Sequence, residues 1–313
     1  MDYEKAGISR DALWRYIEEQ IFALPGLDAP GEVLTVLLTG SRAAGVHQPQ
    51  SDVDIDVVCP QAVYESVHRA ALETGVIDTP RSFFVTVPEV DWERYFGRER
   101  GRPHFSVTSL RQVERHFREY HDVWLWIWTN AQVITDPNGQ FERIRGQFKG
   151  YPQEVLVGKI KYRWLLASYW AIEQYPHNHG ARDELLLAAA TGLLSSIQEY
   201  LRVFFLVEGK PFPYAERLMT FAEETKLGRE FVPLFQRAID LILGRTDEQK
   251  DLWQRLDSAF ELLMCEDLSD ESKRLCGACA EMMIDAGVEP DWVQADFNNI
   301  DELLLGELGP IPS

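Results

Sequence analysis

Three aspartates on one predicted strand are the residues of this sequence best suited to metal chemistry. Asp52, Asp54 and Asp56 alternate with valine and isoleucine in the segment Ser51–Val58. Because alternate residues of a β-strand project to the same side, the three carboxylates are expected to share one face while the apolar residues enter the core. Stacked like charges repel each other, and a divalent cation neutralises them. The pattern therefore predicts a metal site on this face.

A glycine turn precedes the acidic strand. Gly40 and Ser41 follow the apolar, β-branched segment Val33–Leu38, and a short linker separates them from Asp52. Glycine lets the backbone turn sharply and bring its N–H groups near an anion, and the Ser41 hydroxyl adds a donor. A phosphate-binding turn opposite a row of carboxylates suits a Mg²⁺–nucleotide complex. A two-metal site of this kind activates an acceptor hydroxyl and steadies a pyrophosphate leaving group.

A second interpretation of the acidic face is structural. An edge strand often carries exposed charges that prevent it from pairing with another sheet. The Gly-Ser turn one strand earlier favours the metal-binding interpretation.

At these residues the sequence resembles the polymerase-β-like nucleotidyltransferase superfamily, whose signature is Gly-Ser, a short linker and then Asp-x-Asp/Glu on the next strand. The motifs Gly-Ser-Arg-Ala and Ser-Asp-Val-Asp are typical of small bacterial members, which include minimal, aminoglycoside and lincosamide nucleotidyltransferases. The resemblance implies that Gly40 and Ser41 bind nucleotide phosphates, with Arg42 beside them. It also implies that Asp52 and Asp54 ligate Mg²⁺ as the catalytic residues.

One position departs from that pattern. The superfamily usually supplies a third carboxylate from a later strand, but the segment His104–Ser109, the best candidate for that strand, contains no acid. Either Glu89 or Asp91 serves instead, or the site works with two carboxylates. The remaining alternative is a protein that binds nucleotide without catalysis.

The second half is similar to the helical C-terminal domain attached to such antibiotic-modifying enzymes, through the segment Phe204–Arg217. In that family the acceptor sits in a cleft between the two domains, where a carboxylate serves as general base. Candidates for the base are Asp183, Glu184, Glu208 and Glu216, and candidates for steadying pyrophosphate are Lys210 and Arg217. These residues also fit structural roles, at a helix start or on a solvated face.

The distribution of apolar residues predicts an α+β fold followed by helices. Strands are predicted at 33–38, 52–59, 82–87 and 105–110, with helices at 9–24 and 61–74, which indicates a small mixed sheet. Later helices are predicted near 110–120, 122–133, 153–174, 182–207, 213–225, 229–243, 247–265 and 270–286, before an extended acidic tail. We therefore expect a nucleotidyltransferase domain over residues 1–145 and an all-α helical-bundle domain over residues 146–313.

The acidic balance of the chain limits its partners. There are 31 basic and 50 acidic residues, a formal net charge of −19. Because a protein that grips a phosphate backbone needs a positive surface, long nucleic acid is not expected as a partner. A negative field attracts Mg²⁺ and cationic small molecules. We therefore expect AMP transfer from ATP to a hydroxyl of a small cationic acceptor, such as an aminoglycoside-type antibiotic, with release of pyrophosphate and a role in antibiotic resistance.

Two other functions fit the same residues. A nucleotidyltransferase can modify a protein instead of a small molecule, as AMPylating antitoxins of this superfamily do. A non-catalytic sensor or scaffold would bind nucleotide without releasing pyrophosphate, which fits the missing third acid.

Neither a membrane span nor an export signal is expected. The apolar stretch 184–206 is interrupted by polar residues such as Glu199 and Arg202, whereas a membrane span needs about 20 predominantly apolar residues. The first ten residues are polar and of mixed charge, unlike a signal peptide. A cytoplasmic protein whose four cysteines are reduced thiols is therefore expected. Cys276 and Cys279 have metal-ligand spacing, but burial in a helix is the favoured interpretation.

Two further groups have both a functional and a structural interpretation. Trp124 and Trp128 share a helix face and are able to stack a base, but packing is the favoured interpretation. His177 and His179 have side chains that bind metals, but a polar turn between two helices is the favoured interpretation.

Overall fold

The computed structural model describes residues 1–27, 34–80, 83–86, 89–97, 102–172, 185–245, 250–263 and 269–294. The chain divides into two compact units, Met1–Lys149 and Gly150–Ser313. The first unit contains the sheet and the second contains only helices among its described residues. The predicted α+β fold followed by a helical region is therefore confirmed.

The sheet of the first unit has five strands in the order β3-β4-β2-β1-β5. They are β1 (Thr35–Thr39), β2 (Val53–Cys59), β3 (Phe84–Thr86), β4 (Pro103–Ser109) and β5 (Gln132–Thr135). β2 pairs with β4 in parallel, whereas the other three pairings are antiparallel, so the sheet is mixed as predicted.

The acidic strand lies at the centre of this sheet. Val53, Ile55 and Val57 are buried, whereas Asp54 and Asp56 keep partial exposure, as the alternation predicts. Because β2 is hydrogen-bonded on both sides, by β1 and β4, the edge-strand interpretation of the acids is wrong. A central strand has no edge to protect, so another property of this face must explain three acids in a row.

Helices cover the sheet of the first unit, and its core is built from the apolar residues of both. The helices are Tyr3–Ala6, Arg10–Tyr16 with a π-helical turn Ile17–Ile21, Gly40–Ala44, Gln61–Glu73, Glu89–Phe96, Leu110–Arg118, Asp122–Asn130 and Gln140–Gln147. Leu13, Tyr16 and Ile17 of the opening helix are fully buried with the strand residues in one cluster. The helical period of their spacing thus places one face of that helix in the core.

The second unit is helical throughout its described residues. Its helices are Gln153–Ile172, Leu186–Leu206, Leu218–Ala222, Lys226–Ile242, Leu252–Leu263, Asp270–Asp285 and Pro290–Val293. The first two pack closely on each other. None of the described helices combines the length and apolarity that crossing a membrane requires.

The cysteines depart in part from the sequence prediction. Cys59 and Cys279 are free and buried. Cys276 is disulfide-bonded, so the prediction that all four cysteines are reduced thiols is wrong. Burial raises the pKa of the Cys59 thiol to about 12, which makes that thiol unreactive at neutral pH.

Candidate functional site

The glycine turn and the acidic strand meet at Gly40. This residue follows β1 with a φ of +66°, in the left-handed region that favours glycine. A Cβ at this position would clash with Asp54 Oδ2 and lie 3.1 Å from Asp54 Cγ. Thr39, the preceding residue, is the register partner of Asp54. The turn therefore brings bare backbone directly against one carboxylate of the acidic strand.

Ser41 lies one residue further, in the short helix Gly40–Ala44. The residue is only 3% exposed. Its carbonyl accepts a hydrogen bond from Val46 N–H at 3.0 Å, which closes the turn after the helix. No hydrogen bond of the Ser41 hydroxyl to the described residues occurs, so this donor is available to a ligand at the turn.

Arg42 follows Ser41 in the same short helix. The side chain is 1% exposed. Its guanidinium donates to the carbonyl oxygens of Ala6, Pro49, Ser51 and Asp52 at 2.8–3.2 Å. These contacts tie the linker before β2 and the helix Tyr3–Ala6 to the glycine turn. They give Arg42 a positioning role, and direct contact between Arg42 and a phosphate stays a prediction.

Asp52 is the most accessible of the three acids, with 52% of its side chain exposed. Its Oδ1 accepts a hydrogen bond from Arg102 N–H at 3.0 Å. Its Oδ2 lies 3.4 Å from Nε2 of His104, a side chain only 15% exposed. The carboxylate is therefore oriented by β4 and its preceding residue while one side remains open to solvent.

His104 is a site residue that sequence reasoning missed. On β4 it is the parallel register partner of Asp54, and its ring stacks on Phe84 with the centroids 5.1 Å apart. It stands beside the two proposed metal ligands, on the strand where the superfamily pattern expects a third acid. The pairing of β2 with β4 is long-range, and no local spacing reports it.

Asp56 is fixed by hydrogen bonds within the sheet. Thr39 Oγ1 donates to its Oδ2 at 2.6 Å, and Ser106 Oγ donates to its Oδ1. Burial raises the pKa of Asp56, and these two hydrogen bonds oppose the rise. Asp56 thus connects β1, β2 and β4. Asp52 is exposed, whereas Asp54 and Asp56 are both half-buried.

The residues present fit a divalent cation that is shared with a ligand. No cluster of three or more His, Cys, Asp or Glu side chains with metal-binding geometry occurs among the described residues. Asp54 lies on β2 and Asp52 immediately before it, and the Gly40 backbone lies directly against the Asp54 carboxylate. Mg²⁺ is usually held in this way, by one or two carboxylates with substrate phosphates and water.

Two segments, β4 and the helix Glu89–Phe96, are the candidates for supplying a third acid. β4 carries His104 and Ser106 beside Asp54 and Asp56, so that strand supplies none. Glu89 and Asp91 belong to the helix Glu89–Phe96, but their side chains lie outside the described residues.

The candidates for a general base in the second unit differ in their environments. Glu208 accepts from Lys210 Nζ at 2.7 Å and from Lys226 N–H. Burial alone would raise the pKa of Glu208, but these hydrogen bonds and the lysine charges lower it overall. A carboxylate with a lowered pKa is a weak base, and Lys210 is already ion-paired. Asp183, Glu184, His177 and His179 lie outside the described residues.

The tryptophans form a packed aromatic cluster with His116. Trp128 is 1% exposed and its Nε1 donates to His116 Nδ1 at 3.1 Å. Trp124 stacks on His116 with centroids 4.7 Å apart and planes within 7°. These contacts support the packing interpretation of Trp124 and Trp128.

Two family models match the first two thirds of the chain. Residues 25–124 match the family model described as a nucleotidyltransferase domain, which spans β1 to β4 and the whole acidic face. Residues 118–217 match a domain of unknown function, DUF4037. A nucleotidyltransferase-like protein from Exiguobacterium sibiricum has a similar crystal structure, with a TM-score of 0.43 and 12% identity over 95% of this chain and 87% of that chain. No curated protein matches the chain.

Proposed function

We propose that this protein transfers AMP from ATP to a hydroxyl of a small cationic acceptor, releasing pyrophosphate, because residues 25–124 match the nucleotidyltransferase family model. The family match confirms the resemblance seen in the sequence and indicates nucleotidyl transfer as the general activity. The close approach of Gly40 to Asp54 is the observation that supports the proposal, because it brings the turn that we expect to bind phosphate next to a carboxylate.

The residues of the turn and of the acidic segment have different proposed roles. The backbone at Gly40 and the Ser41 hydroxyl would bind the nucleotide phosphates, and Asp52 and Asp54 would hold Mg²⁺. Domains of this family generally use divalent metal ions, which neutralise phosphate charge at the reacting phosphorus. Arg42 would keep the turn in position through its backbone contacts. His104 and Arg102 N–H would orient the Asp52 carboxylate.

The proposed acceptor follows from charge. The protein has a formal net charge of −19, and this negative charge attracts cations. An aminoglycoside carries several ammonium groups and several hydroxyls, so it offers both the attraction and the nucleophile. Such a reaction would inactivate an antibiotic and confer resistance.

The direct test is incubation with Mg²⁺ and ATP labelled on the α-phosphate, with a panel of aminoglycosides, lincosamides and sugar phosphates. The expected result is a labelled small molecule together with pyrophosphate, only with a cationic acceptor. If a protein becomes labelled after a cell lysate is added, the acceptor is a protein and not a small molecule. If no nucleotide is transferred to any of these acceptors, the proposed activity is contradicted.

The double variant Asp52→Asn/Asp54→Asn should lose at least about 100-fold in turnover, since metal-ion stabilisation of the transition state amounts to several kcal/mol. A matched control is Asp11→Asn/Asp78→Asn, which removes the same charge at two exposed positions of the first unit. Equal activity of the two double variants would show that Asp52 and Asp54 do not bind the metal.

A second candidate is a nucleotide sensor without catalysis. The observation that favours it is the pair His104 and Ser106 on β4, which leaves that strand without an acid beside Asp54. Calorimetry with Mg²⁺-ATP separates the two functions. A sensor binds the nucleotide and yields no pyrophosphate with any acceptor, whereas the transferase yields pyrophosphate in step with acceptor consumption.

A further inference from the structure

An exposed aromatic side chain continues the acidic face of the sheet beyond β4. Phe84 lies on β3, the strand at one edge of the sheet, and 54% of the residue is exposed. It is the register partner of Ser106, which is in turn the register partner of Asp56. Because residues directly opposite each other on paired strands project to the same side of a sheet, Phe84 stands on the face that carries Asp54 and Asp56.

One residue connects the ring of Phe84 to a proposed metal ligand. The ring stacks on His104, with centroids 5.1 Å apart and planes inclined by 23°. Nε2 of His104 lies 3.4 Å from Asp52 Oδ2. One face of the Phe84 ring is thus covered by an imidazole that lies next to the Asp52 carboxylate, while the residue remains half exposed. The stack restricts the ring, which reduces the cost of ordering it when a ligand binds.

The position of this ring distinguishes it from an ordinary exposed apolar residue. Single exposed apolar side chains are common on protein surfaces. Proteins usually protect edge strands with charged side chains, however, because an exposed edge pairs readily with another chain. β3 carries an aromatic ring instead, two strand spacings or about 10 Å from the acidic strand. That position favours contact with a ligand of the acidic face.

The direction of the proposed reaction indicates which ligand this is. In phosphoryl transfer the attacking and leaving oxygens lie roughly in line at the reacting phosphorus. The turn at Gly40 and Ser41, which we expect to hold the phosphates that leave as pyrophosphate, follows β1 on one side of β2. β4 and β3 lie on the other side of β2. The acceptor would therefore reach the phosphorus from the side on which Phe84 is exposed.

We propose that Phe84, stacked on His104, binds a ring of the cationic acceptor and directs its hydroxyl toward the acidic face. The face of an aromatic ring attracts an ammonium group and covers the apolar face of a sugar ring. An aminoglycoside-type acceptor offers both groups. This inference rests on the proposed transfer reaction and adds the acceptor contact on the first unit.

The test measures acceptor binding without turnover. Kanamycin and neomycin, two aminoglycosides, are titrated by calorimetry into the full chain with Mg²⁺ and an ATP analogue that has a methylene group between its α- and β-phosphates. Phe84→Leu keeps an apolar side chain but removes the ring, and it should weaken binding of the preferred probe about fivefold, the loss expected for one cation–π contact. Phe84→Trp keeps an aromatic face and should retain the affinity of the unaltered protein within about twofold.

Trp124→Leu is the matched control. Trp124 is also an exposed aromatic residue of the first unit, and it stacks on His116 as Phe84 stacks on His104. Its replacement should leave the affinity for both probes unaltered. The affinity for the ATP analogue should be the same in Phe84→Leu as in the unaltered protein, because the ring is expected to contact the acceptor and not the nucleotide.

The inference is overturned if neither probe binds, or if Phe84→Leu and Trp124→Leu bind the probes equally well. It is also overturned if Phe84→Leu weakens binding of the ATP analogue instead, since the ring would then contact the nucleotide. Pyrophosphate release by the unaltered protein tests the proposed function separately. Probe binding that depends on Phe84, without pyrophosphate release, would support the acceptor site and contradict only the transfer reaction.

Discussion

The Asp54 carboxylate occupies the space where a side chain at residue 40 would begin. A Cβ on Gly40 would clash with Asp54 Oδ2 and lie 3.4 Å from Asp54 Cβ. Gly75 offers a comparison, since its φ of +74° is similar but nothing lies within 4 Å of an added Cβ. Both positions thus have the left-handed backbone conformation that favours glycine. Of the two, only Gly40 is in contact with a carboxylate.

Gly40→Ala and Gly75→Ala should therefore separate strain from function. Both place alanine in the left-handed region, which costs about 1 kcal/mol of unfolding free energy. Only Gly40→Ala should also turn Asp54 away from its position and reduce nucleotide transfer, by at least about tenfold for a displacement of 1 Å or less. Urea unfolding and initial rates of pyrophosphate release measure the two effects. An equal loss of rate in both variants would show that the contact with Asp54 is irrelevant to activity.

Arg42 should act through the backbone that it holds. Arg42→Gln removes the donors to the buried carbonyl of Ala6 and to the part-buried carbonyls of Pro49 and Ser51, and an unsatisfied buried group costs about 1–3 kcal/mol. A loss of about 3 kcal/mol of unfolding free energy is expected, together with a weaker affinity for nucleotide.

The control for Arg42 is Arg143→Gln. Arg143 also donates to backbone carbonyls, of Gly139 and Asn138, but on an exposed face. Its replacement should change the unfolding free energy by no more than about 0.5 kcal/mol. If Arg42→Gln weakened nucleotide binding while the unfolding free energy stayed constant, direct contact with phosphate would account for this residue instead.

The acidic strand shows what the sequence was able to predict. Period-two alternation reports a local property, so it correctly placed Val53 and Ile55 in the core and the acids on the other face. The difference between Asp52 and Asp56 was not predictable in the same way. Thr39 and Ser106 decide the environment of Asp56, and both come from other strands of the sheet.

Arg42 and His104 show why the rest of the site was missed. The motif Gly-Ser-Arg-Ala suggested a cation near phosphate, which stays a prediction, whereas the contact of Arg42 with the helix Tyr3–Ala6 was not expected. His104 meets the acidic face only through the parallel pairing of β4 with β2. Both contacts join segments far apart in the chain, and local spacing carries no information about them.

A carboxylate in place of His104 should strengthen divalent-cation binding. His104→Asp sets a third acid beside Asp54, in register on the neighbouring strand. Without metal the added negative charge should lower the unfolding temperature, because three carboxylates then repel one another. Addition of Mg²⁺ should restore it, with a larger shift than in the unaltered protein, since a ligand of the folded state stabilises in proportion to its affinity.

Gln147→Asp is the control for this substitution. It adds the same charge at an exposed position of the first unit, at the end of the helix Gln140–Gln147. Its Mg²⁺-dependent shift should equal that of the unaltered protein. Equal shifts in His104→Asp and Gln147→Asp would show that β4 does not border the metal site.

The buried His116 should make the first unit sensitive to acid. Burial, with smaller contributions from His121 and Arg115 and against the opposing Glu119, lowers the pKa of His116 to about 4. Between the unfolded value near 6.5 and about 4 the unfolded chain binds the extra proton, so stability falls as the pH falls through this window, by up to about 3 kcal/mol. His116→Asn removes the titration while its Oδ1 still accepts from Trp128 Nε1, whereas His121→Asn alters an exposed histidine. Unfolding free energies at pH 7 and pH 4.5 should therefore differ less in His116→Asn than in the other two proteins, and an identical pH dependence in all three would contradict this origin of the acid sensitivity.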